Sequence, residues 1–97
     1  MHFRSKKLLG SADGKPCCAC LQDDGTTVAA HLNSVAMGKG RGIKCPDSLH
    51  ARLCHRCHSL YDGQAPGWSP EERAERFMWA YFRTVKAWFD EGLLVVK

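Results

Sequence analysis

The stretch LHARLCHRCHSLYDG, Leu49 to Gly63, concentrates two cysteines, three histidines and one aspartate in a few turns of chain. Cys54 and Cys57 form a Cys-x-x-Cys pair, and His58 follows at once. A second pair, Cys17-x-x-Cys20, stands well upstream. A tight turn at each pair brings its two thiolates to one side, and four sulfurs at ~2.3 Å from one ion make a closed tetrahedron. Such a shell leaves no position for water, so it folds the chain and does no chemistry; in small domains metal binding is coupled to folding. The expected ligands of a structural Zn²⁺ are Cys17, Cys20, Cys54 and Cys57. Cys18 and Cys45 are left over. Cys18 could replace Cys17 as a ligand in a tighter Cys-x-Cys pair, and a set of reduced cysteines with no ion is the plain alternative.

Six cysteines also permit 15 disulfide connectivities. The opening MHFRSKKLLG is basic but has no apolar run of the kind that directs secretion. The expectation is therefore a cytoplasmic protein in a reducing compartment, where clustered cysteines are more often metal ligands than bridges. No apolar run approaches the ~20 residues that span a bilayer, so no membrane partner is expected.

The length of 97 residues predicts one small domain, residues 1–97, whose core alone gives marginal stability and which gains from a structural metal. The net charge of +4 is compatible with nucleic acid and equally ordinary for a soluble domain. Residues 1–14 read as a basic lead-in whose RSKK cluster is either solvated or touches phosphate. Asp24-Gly25 favours a hairpin, and TTVAAHL from Thr26 reads as a short strand. NSVAMGKGRGIKCPD, rich in glycine and basic residues, reads as an exposed loop. The Leu49–Tyr61 segment should become helical around Cys57, to be broken by Asp62-Gly63 and GQAPGWSP.

The last element is the clearest. Ser69 is an N-cap, Pro70 sits at the first helical position, and Glu71 and Glu72 suit the positive end of the dipole. Ala74, Phe77, Met78, Tyr81, Phe82, Val85, Trp88 and Phe89 recur at three- and four-residue steps, an apolar stripe of helical period expected to pack as core. This predicts a helix over 69–91. Gly92 stops it, and LLVV could add a short strand.

His58 and Asp62 are four residues apart and share a helix face. An imidazole and a carboxylate at that spacing can hold one Mg²⁺ or Mn²⁺ and leave other positions open to water and phosphate. His58 could instead complete a Cys₃His zinc set. His31, on or just after the predicted strand, could take a proton from water attacking a phosphodiester; a lone strand histidine is also an ordinary structural or exposed residue. His50 and His55 read as solvated groups or as supports to the metal ligands, and His2 is uninformative.

The ordered set goes further than its members. A Cys-x-x-Cys pair, the strand end Ala30-His31, the loop GRGIKCPD, then LCHRCH, CHSLYD with its His-x-x-x-Asp, and the helix end RTVKAWFDEG resemble the HNH nuclease superfamily. More narrowly they resemble its small prophage-encoded family of YbcO-like nucleases, from about Lys15 onward. The resemblance implies an α+β fold: a small zinc-stabilised ββα-metal (HNH, treble-clef-like) domain over 15–63 with a long C-terminal helix. It implies a metal-dependent endonuclease acting on DNA, phage-encoded and associated with recombination proteins. By the same resemblance His31 matches the general base, His58 the last metal-binding histidine and Asp62 a second ligand on the helix.

The sequence departs from the family pattern twice. The middle asparagine is missing ahead of LC, where Asp47 and Ser48 stand nearby, and Ala30 occupies the place before His31 where many members carry a metal ligand. The ion is then expected to have fewer protein ligands, with Asp47 orienting His31 or assisting the cation. Lys39, Arg41 and Lys44 would hold neighbouring phosphates, giving affinity without sequence choice. The competing class is a non-catalytic zinc module that binds nucleic acid or a recombination partner; a third is a zinc-dependent protein-interaction domain. DNA form, DNA against RNA, and oligomeric state are open at this level.

Overall fold

Two short strands from distant parts of the chain make the centre of the computed structural model, which describes residues 3–96. Met1, His2 and Lys97, and with them the reading of His2, lie outside the described residues. The helix α1 (Lys6–Gly10) precedes β1 (Val28–His31), β2 (His50–Leu53), α2 (His55–Tyr61) and α3 (Pro70–Asp90). β1 and β2 pair antiparallel with Val28 opposite Leu53, Ala30 opposite Ala51 and His31 opposite His50. The arrangement is a small α+β fold with a two-stranded sheet and a long C-terminal helix.

β2 is buried along its whole length. Its side chains alternate in direction, so Ala51 and Leu53 enter a core with Ala30, Tyr61, Phe77, Ala80 and three of the cysteines. His50 and Arg52 take the opposite direction. His50 lies against Trp88 with ring centroids 5.0 Å apart. Arg52 gives two parallel hydrogen bonds to Glu91, from Nη1 at 2.7 Å and Nη2 at 2.8 Å, and Nη2 also reaches Ser11 Oγ at 3.2 Å. This fork ties β2 to the end of α3 and to the segment after α1, and it holds the Glu91 carboxyl below the usual carboxylate range.

α3 starts where its sequence signals put it. Ser69 Oγ accepts from Glu72 N and the Glu72 carboxylate accepts from Ser69 N, a complete capping box with Pro70 just inside. Its buried face is narrower than the apolar stripe. Phe77, Ala80, Thr84 and Trp88 are buried, whereas Met78, Phe82 and Phe89 are exposed. The reason is proximity. The backbone of β2 comes close enough for Arg52 N to donate to Thr84 Oγ1 at 3.0 Å, while that hydroxyl donates to Ala80 O at 2.8 Å. Ala80 and Thr84 fit where β2 comes closest, and Phe77 and Trp88 are buried on either side of that crossing.

Four further expectations change. The basic lead-in is not a solvated tail: Ser5 caps α1, and Leu8 and Ala12 are buried. Asp24-Gly25 is a bend in a loop, with Asp24 Oδ1 accepting from Thr26 N and Oγ1; β1 pairs instead with β2, across the glycine-rich loop. Leu49–Tyr61 becomes helical around Cys57, as expected, in α2, while its first half supplies the strand β2, which was not expected. Leu93 and Leu94 turn their N–H groups back to Trp88 O, at 2.8 and 3.3 Å, so LLVV closes the helix end and forms no strand. Among the described residues, no helix is long and apolar enough to cross a membrane.

Replacing Thr84 by Val keeps the shape but leaves the buried Arg52 N–H without an acceptor. The expected loss is about 1–3 kcal/mol, read as a lowered denaturant midpoint at unchanged slope. Thr84→Ser, which keeps the hydroxyl, should lose less.

Candidate metal centre and histidine sites

The Cys17–Cys20 turn is built by its own backbone. Leu21 N donates to Cys17 O at 2.9 Å, and the N–H groups of Ala19 and Cys20 point at Cys17 Sγ, at 3.4 and 3.5 Å. Leu21 takes φ 66°, an uncommon conformation for a branched residue, to let the chain leave this turn. Cys18 N donates to Arg52 O at 2.8 Å, which fastens the turn to β2. On the other side Cys54 is the N-cap of α2, and Cys57 lies in its first turn.

The four sulfurs of Cys17, Cys20, Cys54 and Cys57 all lie within 4.8 Å of one another, and Cys20 Sγ is 3.8 Å from Cys54 Sγ. A tetrahedron with Zn–S bonds of ~2.3 Å has edges of about 3.8 Å. The set is thus positioned to hold a metal ion and fits structural zinc. Burial, reinforced by the crowded neighbouring sulfurs, pushes the Cys54 and Cys57 thiols up. Cys17 is lowered: burial would raise it, but its N–H donors prevail. Four thiolates at this spacing need a cation to be stable together.

The two other cysteines stay outside. Cys18 faces Thr84, and burial raises its thiol; Cys45 Sγ donates to Ser34 O at 3.4 Å. Cys17 and not Cys18 is therefore the member of the set, and His58 is not part of it.

His31 and Asp47 meet although sixteen positions apart in sequence: Nε2 of the ring is 2.8 Å from Asp47 Oδ1. Asp47 is buried and also accepts from Arg4 Nη1 at 3.0 Å and from Ser5 N at 2.7 Å. Burial would raise its carboxyl, but these three donors together hold it below the usual carboxylate range. It is anionic at neutral pH, and its contribution is lost only as the pH falls through that lowered value. Arg4 completes the clasp by donating to the carbonyls of Lys44 and Cys45, at 2.7 and 2.6 Å. The sequence reading missed Arg4 and Ser5; the RSKK cluster was the only signal, and it named no partner.

His58 Nε2 lies 3.2 Å from Asp62 Oδ2 on one face of α2, with both side chains about one-third exposed, at 35% and 32%. Asn33 Nδ2 donates to Asp62 Oδ1 at 3.3 Å, and Lys39 Nζ donates to Asn33 Oδ1 at 3.3 Å. Asn33 N in turn donates to Tyr61 Oη at 2.9 Å. Asn33 stands two residues after His31, so it links the strand end carrying that histidine to the His58–Asp62 pair. Asn33 carried no signal in the sequence, since Asp62 lies 29 positions away. Among the described residues, the four thiols are the only metal-capable group of three or more such side chains. His58 and Asp62 would thus offer an ion two donors and leave the rest of its shell open.

Lys39 and Lys44 border a shallow depression that His31 also lines, and Lys44 borders a second one with His31 and Asp47. Arg41 sits at the exposed tip of a tight turn closed by reciprocal Gly40–Ile43 hydrogen bonds of 2.9 and 3.0 Å; Gly42 turns there at φ 68°. His55 is exposed, as expected. His50 is not solvated but fully buried: its Nδ1 lies 2.7 Å from Asp47 O, and burial lowers its basicity. It fixes the backbone of the residue that holds His31.

The sequence matches no protein-family model and no curated protein. The chain is similar in fold to a solved structure of a "putative bacteriophage protein" from Escherichia coli str. K-12 substr. MG1655. The TM-score is 0.67 at 24% identity, over 87% of this chain and 98% of the other. At that identity the likeness is one of fold.

Metal analysis should find one zinc per chain, retained by Cys18→Ser and Cys45→Ser. Cys54→Ala should lose the metal and the cooperative thermal transition. Asp47→Asn should lower stability by about 2–4 kcal/mol, measured by denaturant titration at neutral pH, because it weakens a buried charge held by three donors.

Proposed function

We propose that the chain is a metal-dependent endonuclease of the HNH, ββα-metal type that hydrolyses phosphodiester bonds in DNA, in a phage-associated recombination setting. The observation that carries this reading is the presence of two His–Asp pairs on one sulfur-clustered β–β–α unit. His31–Asp47 stands at the strand end, His58–Asp62 stands at α2, and Asn33, two residues past His31 in the chain, bonds Asp62. The fold likeness to a phage protein supports the setting.

His31 acts as general base. Asp47, kept anionic, takes the Nε2–H and leaves Nδ1 as the proton acceptor; it also stabilises the imidazolium once the proton arrives. Water attacks phosphorus as its proton passes to Nδ1; the new P–O bond forms while the bond to the 3′ oxygen breaks. His58 and Asp62 are the residues that would hold Mg²⁺ or Mn²⁺. When bound, the cation supplies Lewis-acid stabilisation of charge at the leaving oxygen. Asn33 keeps the Asp62 carboxylate aimed, and Lys39, Arg41 and Lys44 provide cationic contacts for flanking phosphates.

One observation favours a second reading, a zinc module that binds nucleic acid without cutting it. His58 and Asp62 already satisfy each other at 3.2 Å.

Supercoiled plasmid and single-stranded oligonucleotides incubated with the zinc-loaded protein and Mg²⁺ or Mn²⁺ should be cleaved. His31→Ala should slow cleavage by about 10²–10⁴ while keeping zinc and fold. Undiminished cleavage by that variant removes His31 from the role. DNA retention that ignores Mg²⁺, with no cleavage under either metal, selects the second reading.

A further inference from the structure

A cavity of about 490 Å³ opens between the segment just after β1, the end of α2 and the first half of α3. Its size is that of a small-molecule site, and the roles assigned above use only its rim. Leu32, Leu49 and Met78 line it together with the rings of Tyr61, Phe77 and Tyr81. These rings form a near-parallel array. Tyr61 and Phe77 stack at 4.5 Å between centroids and 22° between planes, and Phe77 and Tyr81 are 6.4 Å apart at 7°. The array is fixed at both ends: Tyr61 Oη accepts from Asn33 N, and Tyr81 Oη donates to Ser48 O at 2.9 Å.

The polar lining is as specific. Asn33 and Asp62 form one side, and Arg73 another. Arg73 Nε is buried with no hydrogen-bond partner among the described residues. Its guanidinium packs beside Gly63, where a Cβ would stand 3.2 Å from it, and the φ of 76° is what makes glycine the residue at that turn. An apolar cavity walled by aromatic rings, with one cation and bordered by the carboxylate proposed to hold the reaction metal, matches an unpaired nucleotide. The base has a π-face for stacking, and the phosphate has charge for the arginine.

We infer that this cavity receives an unpaired nucleobase, and that the substrate class is therefore nucleic acid with single-stranded or flipped-out nucleotides at the cleavage point. The placement of the phosphate rests on the nuclease reading; the base pocket itself does not. A duplex keeps its bases stacked and offers the slot nothing, so unpaired strands bind with an added contribution that abasic strands lack.

The test is fluorescence anisotropy with the zinc-loaded protein, without added Mg²⁺ or Mn²⁺. The probes are an oligothymidylate, an abasic strand of equal length, and a duplex. The base-bearing strand should bind about tenfold more tightly than the abasic one. Ala74→Phe, at an exposed helix position lining the cavity, should fill the slot and abolish that preference while retaining zinc and melting temperature. Met78→Trp fills it from the next turn and replaces the first variant if that one loses zinc. Equal affinity for base-bearing and abasic strands, or a preference untouched by a folded filling variant, overturns the inference. A preference that survives with no cleavage under Mg²⁺ or Mn²⁺ keeps the pocket and rejects the hydrolytic reading. Cleavage accompanied by base-indifferent binding rejects the pocket alone.

Discussion

Four sulfurs within 4.8 Å of one another set the rest of this molecule. A chain of this length buries little apolar surface, and ordering its long irregular segments costs entropy that such a core hardly offsets. The thiol clamp holds the turn at Cys17–Cys20 against the start of α2. Through Cys18 N on Arg52 O it also holds that turn against β2. The register of the two strands, with His31 opposite His50, is thereby fixed between the sulfur cluster at one end and the Asp47 contacts at the other.

Asp47 is the second centre of organisation. Its carboxylate receives Arg4, the Ser5 backbone and His31, while its carbonyl meets His50. One buried anion therefore anchors the N-terminal segment, closes the basic loop and orients an imidazole. The same residue is structural and positional at once, which is how a small fold can hold a polar site without a large core behind it.

The two ends of the molecule differ in kind. Sulfur donors are enclosed by β2 and α2, and a site of that sort has no room for substrate. The nitrogen and oxygen donors of His58 and Asp62 remain part-exposed beside a cavity walled by aromatic rings. Buried sulfurs at the start of α2 and part-exposed nitrogen and oxygen donors towards its end thus stand at opposite ends of one short helix.

The sequence by itself determined the local features: the two Cys-x-x-Cys pairs as one set able to hold a metal, the Ser69 N-cap and span of the final helix, a short strand at His31, and the His58–Asp62 pairing across one helical turn. Each of these depends on spacing of a few residues, which backbone geometry converts directly into position. Tertiary structure alone decided the rest. It chose Cys17 over Cys18, turned RSKK from a tail into a clasp on Asp47, buried His50, brought Asn33 to Asp62, and exposed Met78, Phe82 and Phe89. The reason is that composition and period name which groups need partners or cover, but supply comes from segments far away in the chain. Which donor, face or carboxylate is nearest is fixed only when the sulfur clamp and the strand pairing bring those segments together.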